Sequence, residues 1–111
     1  MVSDWLARTE MLIGEEGLKK LQASRVLVVG LGGVGAFTAE MICRGGVGSM
    51  VIVDGDKIQS SNRNRQLIAL KSTEGLHKAE VMGARLLNIN PDLRLTVMAE
   101  YIRDDRMTAI L

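Results

Sequence analysis

Arg25-Val26-Leu27-Val28-Val29-Gly30-Leu31-Gly32-Gly33-Val34-Gly35 (RVLVVGLGGVG) is the stretch that decides how this chain folds. Its first half is a β-branched apolar run closed by glycine, the pattern of a strand buried on both faces. Its second half fits G-x-G-x-x-G and leads into a helix running to about Arg44, where Gly45-Gly46 supplies a stop. Each glycine has a physical task in such a turn. Gly30 permits the tight bend, Gly32 lets a phosphate approach the backbone, and Gly35 lets the helix sit close to the sheet. The helix start adds unpaired N–H donors and a partial positive charge for an anion.

Working outward, residues 4–22 read as helical, with the stretch from Gly14 to Gly17 interrupting the run. Met50 to Val53 is a second short apolar strand, closed by Asp54-Gly55-Asp56. Residues 57–76 are polar with little periodicity. Lys78 to Asn88 is helical, with Met82, Leu86 and Ile89 spaced to share one face. Asn90-Pro91-Asp92 is a turn, and Leu93 to Met98 alternates as a third strand. Strand, helix, strand, helix, strand implies an α/β, Rossmann-like parallel sheet of about three strands with flanking helices. Asp104-Asp105 reads as a cap and first turn, followed by Met107, Ile110 and Leu111 at helical spacing. The helix stops there without a C-cap signal, and three parallel strands leave an apolar edge, so the chain is expected to be the N-terminal portion of a longer protein. That edge is expected to favour dimerisation or swapping between fragments.

Composition narrows the function classes. Of the 12 glycines, 8 fall between Gly30 and Gly55, so special backbone geometry is concentrated in one quarter of the chain. Hydrophobic residues at 47% and charged residues at 24% make a globular balance that argues against disorder. A net charge of +1 excludes a strongly basic nucleic-acid arm. The single Cys43 excludes an internal disulfide framework and any zinc site of several cysteines within these residues, and its place on the helix after the glycine turn suits a core residue. No apolar run reaches the ~20 residues of a membrane span. The expected setting is cytoplasmic, without a membrane partner.

Asp54 lies 19 residues past Gly35 at the end of the second strand, where a carboxylate can accept from ribose hydroxyls. Glycine turn and acid together predict nucleotide binding. A nicotinamide-dependent oxidoreductase and a non-catalytic nucleotide-binding module both fit that fingerprint. The residues after Asp54 point elsewhere: Arg65 and Lys78 place two cations beyond the sheet, which suits a triphosphate better than a nicotinamide ring. Arg63 reads as a solvated loop charge and His77 as a surface residue beside Lys78.

Several linked motifs then resemble one known group. Arg25 to Gly35, Gly45 to Asp56 (GGVGSMVIVDGD), Ser61-Asn62-x-Asn64-Arg65-Gln66 and Gly75-x-x-Lys78 look like the ThiF/MoeB/HesA superfamily, relatives of ubiquitin-activating enzymes that use ATP to adenylate a carboxylate. The resemblance covers about Arg8 to Leu111. Within the superfamily, Asn62 to Gln66, Gly75 to Met82 and Ile89-Asn90-Pro91 are most similar to the tRNA threonylcarbamoyladenosine dehydratases. These adenylate the side-chain carboxylate of the modified base in tRNA, and ring closure then expels AMP. The same resemblance allows a second reading, adenylation of the C-terminal glycine of a ubiquitin-like sulfur-carrier protein. It implies that residues 1–24 are an N-terminal helical segment and 25–111 the first part of an ATP-binding adenylation domain.

The resemblance also implies roles for individual residues. Gly30, Gly32, Gly33 and Gly35 back the nucleotide, and Asp54, with Asp56 beside it, holds the ribose. Asn62, Arg65 and Lys78 contact the phosphates, with Gln66 supporting them. Arg65 and Lys78 are the expected catalytic cations. Arg8 matches an N-terminal arginine that reaches the ATP of the partner subunit in a homodimer, although the preceding Trp5-Leu6 departs from the usual basic-aromatic pair. The aspartate that binds Mg2+ in the family, and the zinc or catalytic cysteines of many members, have no counterpart before Leu111. The fragment is therefore expected to be inactive alone.

Overall fold

A computed structural model describes residues 3–102 and 104–110. A 3-10 turn at Asp4–Leu6 leads into α1 (Ala7–Gln22), followed by β1 (Arg25–Val29), α2 (Gly33–Arg44), β2 (Ser49–Val53), α3 (Lys78–Ile89), β3 (Arg94–Met98) and α4 (Asp104–Ile110). The strands form one parallel sheet in the order β1-β2-β3, with Val29 level with Val53 and Val53 level with Met98. The α/β expectation and its three parallel strands are borne out. Among the described residues no helix is long and apolar enough to cross a membrane.

The core lies between the sheet and α2 and α3. Met50 and Ile52 of β2 meet Ala36, Ala39 and Cys43 of α2 and Ala79, Met82 and Leu86 of α3. The Cys43 thiol donates to the Leu86 carbonyl at 3.7 Å, and burial pushes its pKa up, as a core cysteine requires. Below the sheet, Leu6 and Leu18 pack under the turn at Gly46, which ties the N-terminal helix to the strand starts. Gly14 breaks α1 with φ 81°, ψ 167°, the interruption expected at that glycine.

Three details differ from the expectations. The strand buried on both faces is β2, whose Met50 to Val53 are at most 1% exposed. β1 instead forms an edge among the described strands, and Val29 is left exposed. Residues 57–76 are an ordered loop with 3-10 turns at Ser60–Asn62 and Lys71–Thr73. Ile58, Ile68 and Ala69 pin it to the core, and a backbone bridge joins Lys57 to His77. Its apolar anchors are too far apart to make a period. α4 starts at Asp104, so Asp104 is helical, while Arg103 and Leu111 lie outside the described residues.

Two contacts set where α2 sits. Gly30 turns the chain with φ 90°, and a Cβ at Gly35 would stand 1.7 Å from the Gly30 carbonyl oxygen, so only glycine lets α2 start this close to the strand end. At the other end of α2, the buried Glu40 carboxylate accepts from the Nε of Arg85 on α3 and, at 3.2 Å, from the Nε of Arg44. The hydrogen bond from Arg85, with that from Arg44, holds the Glu40 carboxyl below its ordinary 4.5 against the opposing effect of burial.

Gly35→Ala is expected to destabilise the fold by about 3 kcal/mol, measured by urea denaturation, because the new methyl must displace backbone. Glu40→Gln tests the second contact. A lowered folded-state pKa contributes stability that is complete above the unfolded value of 4.5 and is lost as pH falls through the folded value. The wild type should therefore be the more stable protein above pH 4.5, with the gap narrowing as the solution is acidified below it.

Candidate nucleotide site

The site is built at the C-terminal ends of the strands, where the parallel register brings the loops after β1 and β2 level. Gly30 N–H donates to the Val53 carbonyl at 2.8 Å, extending the pairing by one step into the turn. Asp54 then spans the gap. Its Oδ2 accepts from the Leu31 N–H and its Oδ1 from the Asp56 N–H, each at 2.7 Å. The carboxylate is thus fixed by two charge-assisted bonds and keeps lone pairs for further donors such as hydroxyls. Leu31, wholly buried, anchors the turn from below.

The loop of residues 60–66 lies against this turn. A Cβ at Gly32 would stand 3.6 Å from Gln66 Nε2, and one at Gly33 would stand 3.7 Å from the Arg65 carbonyl. Asn62 Oδ1 accepts from the Gln59 N–H at 2.9 Å, and the Asn62 carbonyl receives the Gln66 N–H at 2.9 Å. The side chain of Asn62 is therefore engaged in shaping the loop. Gln66 is buried, and among the described residues its Oε1 has no hydrogen-bond partner. A buried acceptor left open beside a glycine turn is what a ligand with a donor would complete. Arg65 is exposed, with Nη1 donating to the Ser61 carbonyl at 3.1 Å and to Asn64 Oδ1 at 2.9 Å.

Lys78 opens α3 and is 6% exposed. Its Nζ lies 4.0 Å from Asp56 Oδ2, and its N–H donates to the Asp56 carbonyl at 3.0 Å. At that separation the ammonium is held by charge without a short hydrogen bond, so it retains capacity for an anion. Tyr101 donates its hydroxyl to Asp56 Oδ1, and this bond raises the phenol's pKa above its ordinary value. Its ring covers Gly55, where a Cβ would stand 2.6 Å from ring carbons. Gly30, Asp54, Gly55, Asp56, Glu100 and Tyr101 line an open cleft of about 250 Å³.

The glycine turn, Asp54, Asp56, Asn62, Arg65, Gln66 and Lys78 are thus gathered around one end of the sheet. Arg8 is not gathered with them: it is exposed on α1, beside an open cavity lined by Ala7, Met11 and Leu12. Arg63 is an exposed loop charge, as expected, and pairs at the surface with Glu74 at 3.3 Å. One further expectation changes. His77 is half-buried with its Nδ1 unpartnered, because the bridge to Lys57 draws it inward. Sequence reasoning missed Tyr101, although a lone tyrosine just beyond the end of a parallel strand is itself a signal. Among the described residues no group of three or more His, Cys, Asp or Glu is placed to hold a metal ion.

Comparison with known proteins agrees with this fold. Residues 6–111 match the ThiF family. A tRNA threonylcarbamoyladenosine dehydratase of Bacillus subtilis is 43% identical over 99 residues, covering 89% of this chain and 39% of that protein. A molybdopterin-synthase adenylyltransferase of Salmonella typhimurium is 36% identical over 96 residues, covering 86% of this chain and 39% of that protein. The crystal structure of the Escherichia coli tRNA N6-threonylcarbamoyladenosine dehydratase in complex with ATP superposes with a TM-score of 0.92 at 37% identity, covering 99% of this chain and 47% of that one. The chain spans about two fifths of the length of these curated relatives. Matching the family model from residue 6 to residue 111, the chain belongs to the ThiF family.

Proposed function

We propose that the full-length protein uses ATP to adenylate a carboxylate, and that the carboxylate is that of threonylcarbamoyladenosine in tRNA, which then cyclises with release of AMP. The observation that carries the reading is the largely buried Lys78 side chain, its Nζ 4.0 Å from Asp56 Oδ2 and set at the strand ends with the glycine turn. A cation so lightly compensated favours an anionic ligand. The tRNA substrate is supported by relatives named for it, including one whose structure contains ATP.

In this reading the Asp54 carboxylate accepts from the ribose, and the N–H groups opening α2 face the phosphates. Lys78 and Arg65 neutralise charge as the substrate oxygen attacks the α-phosphorus and pyrophosphate leaves. Asn62 keeps the loop in place and Gln66 supplies its open acceptor to the nucleotide. Mg2+ would accompany the ATP, held by an aspartate outside these residues. Arg8 would act across a homodimer: it stands on an exposed helix face with Met11 and Leu12, each 85% exposed, as a segment covered by a second subunit would. The setting would be cytoplasmic.

A second reading, adenylation of a sulfur carrier's C-terminal glycine, has support from the molybdopterin-synthase relative. AMP release from full-length protein given ATP and threonylcarbamoyladenosine-bearing tRNA, compared with a carrier protein, separates the two. Tighter calorimetric binding of NAD than of ATP would overturn both. Lys78→Ala is expected to slow adenylation by about 10²-fold or more while the folded protein persists, read by pyrophosphate exchange beside a thermal melt. A lowered melting temperature with exchange intact would remove Lys78 from the site. Arg8→Ala is expected to lower the exchange rate while leaving the melt of each subunit unchanged.

A further inference from the structure

Away from the strand ends, the outer faces of α2 and α3 carry a second arrangement of charge. Arg44 ends α2, Arg85 and Asn88 lie one turn apart on α3, and Trp5 stands beside them from the turn before α1. With Ile89 they line an open cleft of about 410 Å³. Both arginines are held by the same buried carboxylate, Glu40, and each through its Nε. Among the described residues neither makes another ion pair, and their side chains are 51% and 42% exposed.

One carboxylate shared by two guanidiniums leaves a net positive charge. Both arginines engage Glu40 through Nε, which leaves their Nη donors available to another acceptor. A buried carboxylate is a poor way to join two helices if packing is all that is needed, since apolar contact does as well without the desolvation penalty. It is a good way to hold two arginine forks for an incoming anion, because guanidinium presents paired donors to phosphate oxygens. Trp5, 40% exposed, supplies a flat apolar ring next to that anion site. The adjoining cavity under Trp5 adds Arg94 and Asp92, which offset each other.

We propose that this cleft is an RNA-docking site, separate from the nucleotide site, in which Arg44 and Arg85 grip a backbone phosphate and Trp5 stacks an unpaired base of the tRNA. The proposal rests on the tRNA reading and names a surface of this chain that serves it. A phosphodiester with a base attached satisfies both halves of the cleft: the phosphate takes the forks and the base takes the indole. The affinity depends on salt, since gripping a phosphate releases counterions.

The test is tRNA binding by the full-length protein, followed by fluorescence anisotropy across a KCl series, for Arg44→Gln, Arg85→Gln, Trp5→Ala and Trp5→Phe. Each arginine variant leaves Glu40 one guanidinium partner. The double variant Arg44→Lys with Arg85→Lys keeps the ion pairs and removes only the forks. The glutamine variants are expected to bind about fivefold to tenfold more weakly, with the slope of log affinity against log salt reduced by about one. Trp5→Ala is expected to lose about tenfold and Trp5→Phe to retain most of the affinity. ATP binding should be unchanged throughout. Wild-type tRNA affinity in all the variants overturns the docking site and leaves the proposed reaction standing. A change of oligomeric state at unchanged tRNA affinity also overturns it and makes the cleft an interface between copies. A wild-type protein that binds no tRNA overturns the tRNA reading and the docking site with it.

Discussion

The Asp54 carboxylate is the junction on which the rest of the site depends. It closes the space between the turn after β1 and the loop after β2 by accepting from Leu31 and Asp56 at once. Two loop amides that would otherwise need water find a fixed charged acceptor at the point where the strand ladder stops. The turn can then carry its glycines at the angles they need, and α2 begins where the turn ends. Asp56, set by the same carboxylate, in turn meets Lys78 and Tyr101. One hydrogen-bonding group therefore sets the positions of the turn, the helix start and the buried cation.

Charge is handled in opposite ways at the two ends of the helical layer. At the strand ends, one buried ammonium faces one carboxylate at 4.0 Å, an arrangement with attraction to spare. On the outer face of α2 and α3, one buried carboxylate satisfies two arginines through short contacts. The first leaves a cation with capacity for an anion at the strand ends. The second locks the helices together and leaves cationic surface outside. Neither is the cheapest solution for stability alone, because desolvating a charge offsets much of what pairing returns.

Most of the fold could be read from the chain because its local signals agree. The strand RVLVV, the glycine turn and the helix to Arg44 came at their observed places, since each has its own short-range cause. The roles of the charged residues were less legible. Asn62 was expected at the phosphates, and its oxygen is occupied by the Gln59 amide. Arg63 is exposed as expected, but its surface partner Glu74, 11 residues on, follows from the fold of the loop and not from spacing. Tyr101 lies 45 residues from Asp56, and no local pattern could pair them.

The sequence by itself determined the three parallel strands, the glycine turn and the identity of the acid that follows it. These rest on hydrophobic period and backbone freedom, which act over a few residues. Only the tertiary structure decided that β2 and not β1 is the doubly buried strand, that Asp54 braces the turn, and that Glu40 gathers Arg44 and Arg85. Those outcomes depend on which distant groups come within about 3 Å of one another, a distance at which charge and hydrogen bonding dominate and which spacing along the chain does not encode.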